Sequence, residues 1–465
     1  MYRISSNKLT RIVFTLEEDA LTYEDSILED MIRSGMDMVR IELITKHYKS
    51  FSALIQKLYS VALSMNAVIS IILEVPSNYR VALGFGDVNV EKGETVLLVV
   101  GENSLPEVEF EYKETFRLNV VAANLTVGEK IVFGDEINAE ITSFTSEWIC
   151  VKVLDTGTIY NKSRVKIQGN CKLTEGLSEK QIEDIAFVCQ QKVDFLAFSF
   201  SAAGFEQEIE AIKRNLGSTN VILRVEEFIN GEKLVEIIDK TDGVLVARYP
   251  MGTEMPIEKI CTYQKEIVKK CNERAKPVLI SGHVLGSLRN LPYPLRADAC
   301  DVYNGVIDGV DGFVLSSGVL GESGWRNTLE MLINILKTAE GEVDHHFSFK
   351  KNWIKSKPDV AESLASSAVK TAIELDAKYI VVVGETGNMP RLLAKYRPPI
   401  PIIYISESAQ MGQQVLINRG CMPILERLLD FEDVKKWMHK NLNGSVVIVT
   451  ESSGNSQLLG IVSGS

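Results

Sequence analysis

The sequence predicts an α/β chain: a closed parallel barrel of eight strands, an all-β domain inserted after the third strand, and a C-terminal open α/β domain. Three observations carry this prediction. Short apolar, β-branched runs alternate with longer segments of helical periodicity. The alternation breaks once, between about Gly84 and Cys171. It then resumes, so that eight strand-plus-helix units lie outside the break and a further strand–helix series follows.

In chain order, strands are expected at Ile12–Thr15, Met38–Leu43 and Val68–Leu73, with helices at Glu24–Arg33 and Tyr48–Ser64. The break holds short alternating runs such as ETVLLVVG and EWICVKVLDTG, bounded by turn residues, which is the pattern of an all-β unit. Helix Glu179–Cys189 and strand Phe195–Phe200 restart the repeat, followed by helix Phe205–Leu216 and strand Val221–Val225. Strands Gly243–Ala247, Pro277–Ile280 and Gly312–Leu315 complete the eight. A polar stretch after Glu340, GEVDHHFSFKKNWIKSK, reads as a linker into helix Val360–Leu375, strand Tyr379–Val383, helix Met389–Tyr396, strand Ile400–Ile405, helix Ser408–Asn418 and strand Val446–Thr450. The domains expected are therefore 1–84 plus 172–342 for the barrel, 85–171 for the insert and 343–465 for the C-terminal unit.

Composition narrows the function. The 465 residues are 45% apolar and 24% charged, the profile of a globular protein. A net charge of −12 argues against general affinity for nucleic acid or anionic membrane, while leaving room for a local basic pocket. Seven cysteines without a CxxC pair read as thiols in a reducing compartment. MYRISSNKLTR holds no apolar run of a secretory leader, so a cytoplasmic location is expected.

Chemistry in such a barrel is placed at the C-terminal ends of the strands. The sixth strand, in DGVLVARYPMGTEMP, is expected to run into an exposed turn carrying Arg248, Tyr249 and Pro250. A carboxylate there would hold a metal, and this turn offers proline instead.

Several blocks then resemble the pyruvate kinase family: TRIVFT at Thr10–Thr15, RSGMDMVRIEL at Arg33–Leu43, VDFLAFSF at Val193–Phe200, DGVLVAR at Asp242–Arg248, CNERAKPV at Cys271–Val278 and PLRADACDVYNGVIDGVDGFVLS at Pro294–Ser316. The resemblance implies transfer of the phosphoryl group of phosphoenolpyruvate to ADP, with Mg2+ and K+ as cofactors and an oligomer as the usual assembly. Such transfer depends on cations placed around the migrating group.

Position by position, the resemblance implies the following. Arg40 and Arg80 match substrate-contacting basic residues, and Ser199, Gly252, Asn304 and Ser316 sit in matched pocket blocks. The catalytic lysine of the family's Lys-Ile-Glu-Asn block is Arg224 here, followed by Glu226 at a retained metal-ligand position. The second metal carboxylate is replaced by Pro250, and the threonine linked to enolate protonation by Gly282, beside His283. The monovalent-cation ligands become Glu42 and Ile44 after the second strand, and Leu73 and Glu74, or Glu74 alone if the loop is shifted by one, after the third. In the insert, Gly134-Asp135 keeps one of two lid aspartates. In the C-terminal domain Glu385 stands where a phosphate loop carries a lysine, and SSGNSQ at Ser452–Gln457 matches the final effector loop poorly.

Arginine is not a substitute for lysine where a compact point charge is needed. These changes fall at strand ends rather than at buried positions, so the fold is expected to persist while the charge constellation is dismantled. The expectation is a catalytically inactive or strongly impaired pseudoenzyme or regulatory subunit, able to form a homo- or hetero-oligomer with a related pyruvate kinase. The alternatives are an active kinase with a rearranged site using Arg224 and Glu226, and a sensor of a phosphorylated metabolite or nucleotide.

Overall fold

A computed structural model describes residues 8–76, 80–83, 86–100, 111–118, 125–134, 137–160, 163–167, 177–200, 204–320, 324–353, 359–428, 431–442, 444, 446–450 and 459–462. Eight strands close into a parallel barrel. They are β1 (Arg11–Thr15), β2 (Met38–Glu42), β3 (Ser70–Val75), β4 (Phe195–Phe198), β5 (Asn220–Val225), β6 (Gly243–Ala247), β7 (Val278–Ser281) and β8 (Gly312–Leu315). Each pairs with its neighbours in sequence, and β1 closes the ring by pairing in parallel with β8. β4 takes up the register that β3 leaves, with Phe195 opposite Ile72, so the long insertion does not interrupt the ladder.

These segments become buried strands because they are apolar on both faces, the composition a parallel sheet wrapped in helices requires. Alternate residues share a face. Val13, Met38, Ile72, Phe195, Ala197, Ile222, Leu245, Leu279 and Val314 form one packed cluster inside the barrel. Leu416 and Ile417, from the C-terminal part of the chain, complete that cluster.

Charged side chains hold the C-terminal part against the strands' N-terminal ends. Arg11 is 1% exposed; it donates from Nε to the Asn418 carbonyl at 3.0 Å and from Nη2 to the Cys421 carbonyl, and meets Asp37 at 3.2 Å. Arg397 donates to both Asp311 carboxylate oxygens, at 2.6 and 2.9 Å. Each of these buried cations faces a carboxylate or carbonyl, as burial of charge demands.

The C-terminal sheet has five strands: β9 (Tyr379–Val383), β10 (Ile402–Ser406), β11 (Cys421–Leu425), β12 (Val446–Thr450) and β13 (Leu459–Val462). Their order is β11-β10-β9-β12-β13, with β13 antiparallel at the edge. Helices pack on both faces: Ala365, Ala368 and Leu393 lie in one apolar layer, Trp437 and Met438 in the other. The inserted segment is described by itself. Seven of its strands close a second barrel, antiparallel except where Thr95–Val100 runs parallel to Glu114–Leu118. The chain divides into two compact units, Met1–Val75 with Glu183–Arg248 and Glu258–Ser465, and Pro76–Ile182 with Tyr249–Ile257.

Three expectations are corrected. The polar stretch read as a linker contains a helix, His345–Asn352, because Asp344 caps it by accepting from the Phe347 N–H at 2.8 Å. The turn expected after β6 is a helix, Arg248–Glu254, in which Pro250 and Met251 are buried. Proline is tolerated there because the first turn of a helix has N–H groups without intrahelical partners. The C-terminal unit also holds β11, β13 and helix Phe431–Asn441, which are too short or too polar to stand out by periodicity.

Asp194, which precedes β4, is 1% exposed and accepts from the Ile71 N–H at 2.8 Å and the Tyr59 hydroxyl at 2.9 Å. Burial pushes its carboxyl up to about 7, against the pull of those two donors. A carboxyl that holds its proton more tightly folded than unfolded makes the fold lose stability as pH rises between the unfolded value, about 4, and the folded one. The unfolding free energy from urea titrations should therefore fall as pH rises from 5 to 7, by up to about 1.4 kcal/mol per pH unit. Asp194→Asn, which keeps an acceptor for Ile71, should flatten that slope; an unchanged slope would show that Asp194 is ionised throughout.

Candidate functional site

The C-terminal end of the barrel is built by the same alternation that builds its core. Moving up two residues from Val13, Met38, Ile72 and Ile222 gives Thr15, Arg40, Glu74 and Arg224, on the same inward face. Above the apolar layer lies a layer of charge. Leu73, the other candidate on β3, is fully buried and has the opposite parity, so it faces away from the interior.

Glu74 is 0% exposed and lies between two guanidinium groups. Its Oε2 accepts from Arg40 Nη1 at 2.9 Å, and its Oε1 lies 2.9 Å from Arg224 Nε. Arg40 also meets Glu42 at 2.7 Å and donates from Nε and Nη2 to Thr15 Oγ1 at 3.1 and 3.0 Å. Arg224 meets Glu226 through Nη1 and donates to Ser199 Oγ at 3.5 Å. Among the described residues the set is two arginines against three glutamates.

The strand register makes these partners necessary. β2 and β3 pair Glu42 opposite Glu74, and like charges placed across a ladder repel. Arg40, contacting both, screens them. Burial still pushes the Glu42 carboxyl above its usual range; Arg40 opposes the shift and Glu74 adds to it.

The remaining candidates are distributed around this layer. Ile44 is half-buried just beyond β2. Gly282 follows β7 with φ +86, and its carbonyl accepts from Arg248 Nε at 3.0 Å and Nη2 at 2.7 Å. Arg248 Nη1 reaches Asp301 at 2.6 Å, so it ties the end of β6 to the next loop and to helix Arg296–Asp308. A threonine at 282 would have to adopt a backbone conformation that β-branched residues avoid. His283 beside it is exposed, also with positive φ, at 55. Ser316 and Asn304 are exposed, and Asn304 donates to the Cys300 carbonyl at 2.8 Å.

Pro250, Gly252 and Arg80 belong to the unit that contains the insert. Gly252 is exposed on the helix, and Arg80 opens the strand Arg80–Leu83, opposite Val165. The lid position Asp135 and the loop Ser452–Gln457 lie outside the described residues. Glu385 is exposed ahead of helix Asn388–Lys395.

Altered positions are thus at strand ends and also buried: Arg224 is 6% exposed and Glu74 0%. This corrects the expectation that the changes spare buried positions. The donor set does not fit a hard divalent cation. Glu226 offers one carboxylate, already against the Arg224 guanidinium, and Pro250 offers no side-chain oxygen. Among the described residues no group of three or more His, Cys, Asp or Glu is arranged to hold a metal ion. A monovalent cation fares no better, since Ile44 and Leu73 carry no side-chain oxygen and Glu42 and Glu74 face arginines. A separate cavity of about 430 Å³ lies at the N-terminal ends of the strands; its buried Lys8 and Arg11 both pair with Asp37.

An eight-stranded parallel barrel with a β-barrel insert after β3 and an open α/β sheet form the architecture, and the sequence comparisons identify the family. Residues 7–323 match the pyruvate kinase barrel domain and residues 362–456 the pyruvate kinase alpha/beta domain. The chain belongs to the pyruvate kinase family. It is 27% identical over 461 residues to a pyruvate kinase of Sporosarcina psychrophila, covering 95% of this chain and 77% of that protein. It is 26% identical over 465 residues to the pyruvate kinase of Staphylococcus aureus (strain USA300), covering 98% and 77%.

Parity on β3 is the signal that would have singled out Glu74 and dismissed Leu73 from the sequence alone. The bridge itself, two arginines from different strands on one carboxylate, has no local signature. Removing Arg40 would leave Glu42 and Glu74 opposed with one cation fewer. Arg40→Met should therefore lower unfolding stability by about 3–5 kcal/mol, the cost of breaking a buried pair. Urea denaturation checks this, and an unchanged midpoint would mean that the network contributes nothing to the fold.

Proposed function

We propose that this chain is a pyruvate kinase family member in which phosphoryl transfer is abolished or strongly impaired, and which acts as a pseudoenzyme or regulatory subunit in association with a related pyruvate kinase. The family reaction moves the phosphoryl group of phosphoenolpyruvate to ADP and then protonates the enolate. It needs cationic groups facing the migrating phosphoryl group, in a site where charge is stabilised without reorganisation.

One observation carries the reading: the arginines at the barrel end face glutamates of the same chain. A phosphorylated anion entering there would have to displace Glu74 and Glu226, and among the described residues it would meet three carboxylates against two guanidinium groups. The relatives' name, pyruvate kinase, favours activity; the local chemistry of Arg224, Pro250 and Gly282 favours its loss. Mg2+ and K+ are the family's cofactors; Glu226 is retained but lies against Arg224, and Pro250, Ile44 and Leu73 offer no side-chain oxygen. The compartment that fits the role is the cytoplasm, and no described helix is long and apolar enough to cross a membrane.

Losing one group that stabilises transition-state charge costs about 10²–10³ in rate, and several are altered here. With phosphoenolpyruvate, ADP, Mg2+ or Mn2+ and K+, turnover should fall at least about 10⁴-fold below that of an ordinary family enzyme assayed in parallel. Turnover within tenfold of that enzyme would overturn the reading. Co-expression with a related pyruvate kinase should yield a mixed oligomer on size exclusion, and strict self-association would remove the regulatory-subunit role.

A further inference from the structure

We propose that Glu74 is an intramolecular anion that occupies the binding cations of the barrel end, a built-in competitor for a phosphorylated carboxylate ligand. The inference deepens the reading above and rests on it.

The geometry is that of an anion clasped by two arginines from separate strands. One carboxylate oxygen accepts from Arg40 of β2 at 2.9 Å, and the other lies 2.9 Å from Nε of Arg224 of β5. Planar guanidinium groups are suited to carboxylate and phosphate oxygens alike, so the same donors would serve an external anion. The contact between Glu74 Oε1 and Arg224 Nε is a close ion pair without hydrogen-bond alignment. A ligand free to orient itself could meet that N–H better than a carboxylate fixed to β3. Concentration favours the internal group, because a tethered anion needs no association step.

Charge count points the same way. With Glu74 present, Arg40 and Arg224 face Glu42, Glu74 and Glu226. Without its charge, among the described residues each arginine keeps a carboxylate: Glu42 for Arg40 and Glu226 for Arg224. The fold then keeps a partner for both buried cations while the repulsion of an incoming anion falls. Glu74 is therefore a specificity-determining residue, setting whether the barrel end accepts or refuses anions. It has no role in bond making.

The test is equilibrium binding without nucleotide, so that it does not depend on turnover. Phosphoenolpyruvate and, separately, inorganic phosphate are titrated by calorimetry into the parent, Glu74→Gln and Glu74→Asp. The proposal expects Glu74→Gln to bind phosphoenolpyruvate at least tenfold more tightly than the parent, and Glu74→Asp, which keeps the negative charge, to stay close to the parent. A folded Glu74→Gln that binds no more tightly overturns it, as does an equal gain for Glu74→Asp. Should Glu74→Gln fail to fold alone, its recovery in phosphate but not in chloride of equal ionic strength supports the proposal, and failure in both overturns it. A parent that turns over normally would sink the pseudoenzyme reading and leave this binding comparison standing; a null result for Glu74→Gln would do the reverse.

Discussion

Two arginines buried at the C-terminal end of a barrel must be neutralised, and that constraint organises the candidate site. Taking a guanidinium out of water costs several kcal/mol unless carboxylates or equivalent acceptors surround it. In an enzyme that handles phosphorylated anions, substrate and metal can share in this balance. Here the chain supplies the balance itself: Glu74 between Arg40 and Arg224, with Glu42 and Glu226 on their outer sides. On the proposed reading, the same contacts that satisfy the fold also set the charge balance that an incoming anion meets.

The scaffold under this layer is intact, and the reason is spatial. The apolar layer from Val13 to Val314 does not depend on what lies above it, and its far end is closed by Leu416 and Ile417. Arg11 and Arg397 fix the C-terminal part there through carbonyls and Asp311. In a strand-built barrel, two residues of vertical distance separate a packing position from a chemical one, so the chemistry can change without a cavity forming below.

Much of the fold was legible because parallel-barrel strands are apolar on both faces and recur at regular intervals. The insert was legible as a change of period, from helical to alternating. What escaped notice had weak local signals: the helix His345–Asn352 is polar and depends on one aspartate cap, and the helix carrying Pro250 looks like a turn because proline and glycine occur in it. The site was legible as a set of substitutions, since Arg224, Glu226, Glu42 and Glu74 stand in matched blocks. Their mutual pairing was not, because it depends on register between strands, with Arg40 and Glu74 34 residues apart in sequence. Nor did sequence indicate that Gly282, besides lacking a side chain, uses its carbonyl to hold Arg248.

The central claim is that the arginines of the barrel end belong to the protein and not to a ligand. A crystal structure grown with saturating phosphoenolpyruvate and Mn2+ tests it most directly, because manganese can be located by its anomalous scattering. Arg40 and Arg224 should lie against Glu74, with no manganese peak beside Glu226. A manganese ion coordinated by Glu226 and by the phosphate of a bound ligand, with Arg224 turned away from Glu74, would contradict it.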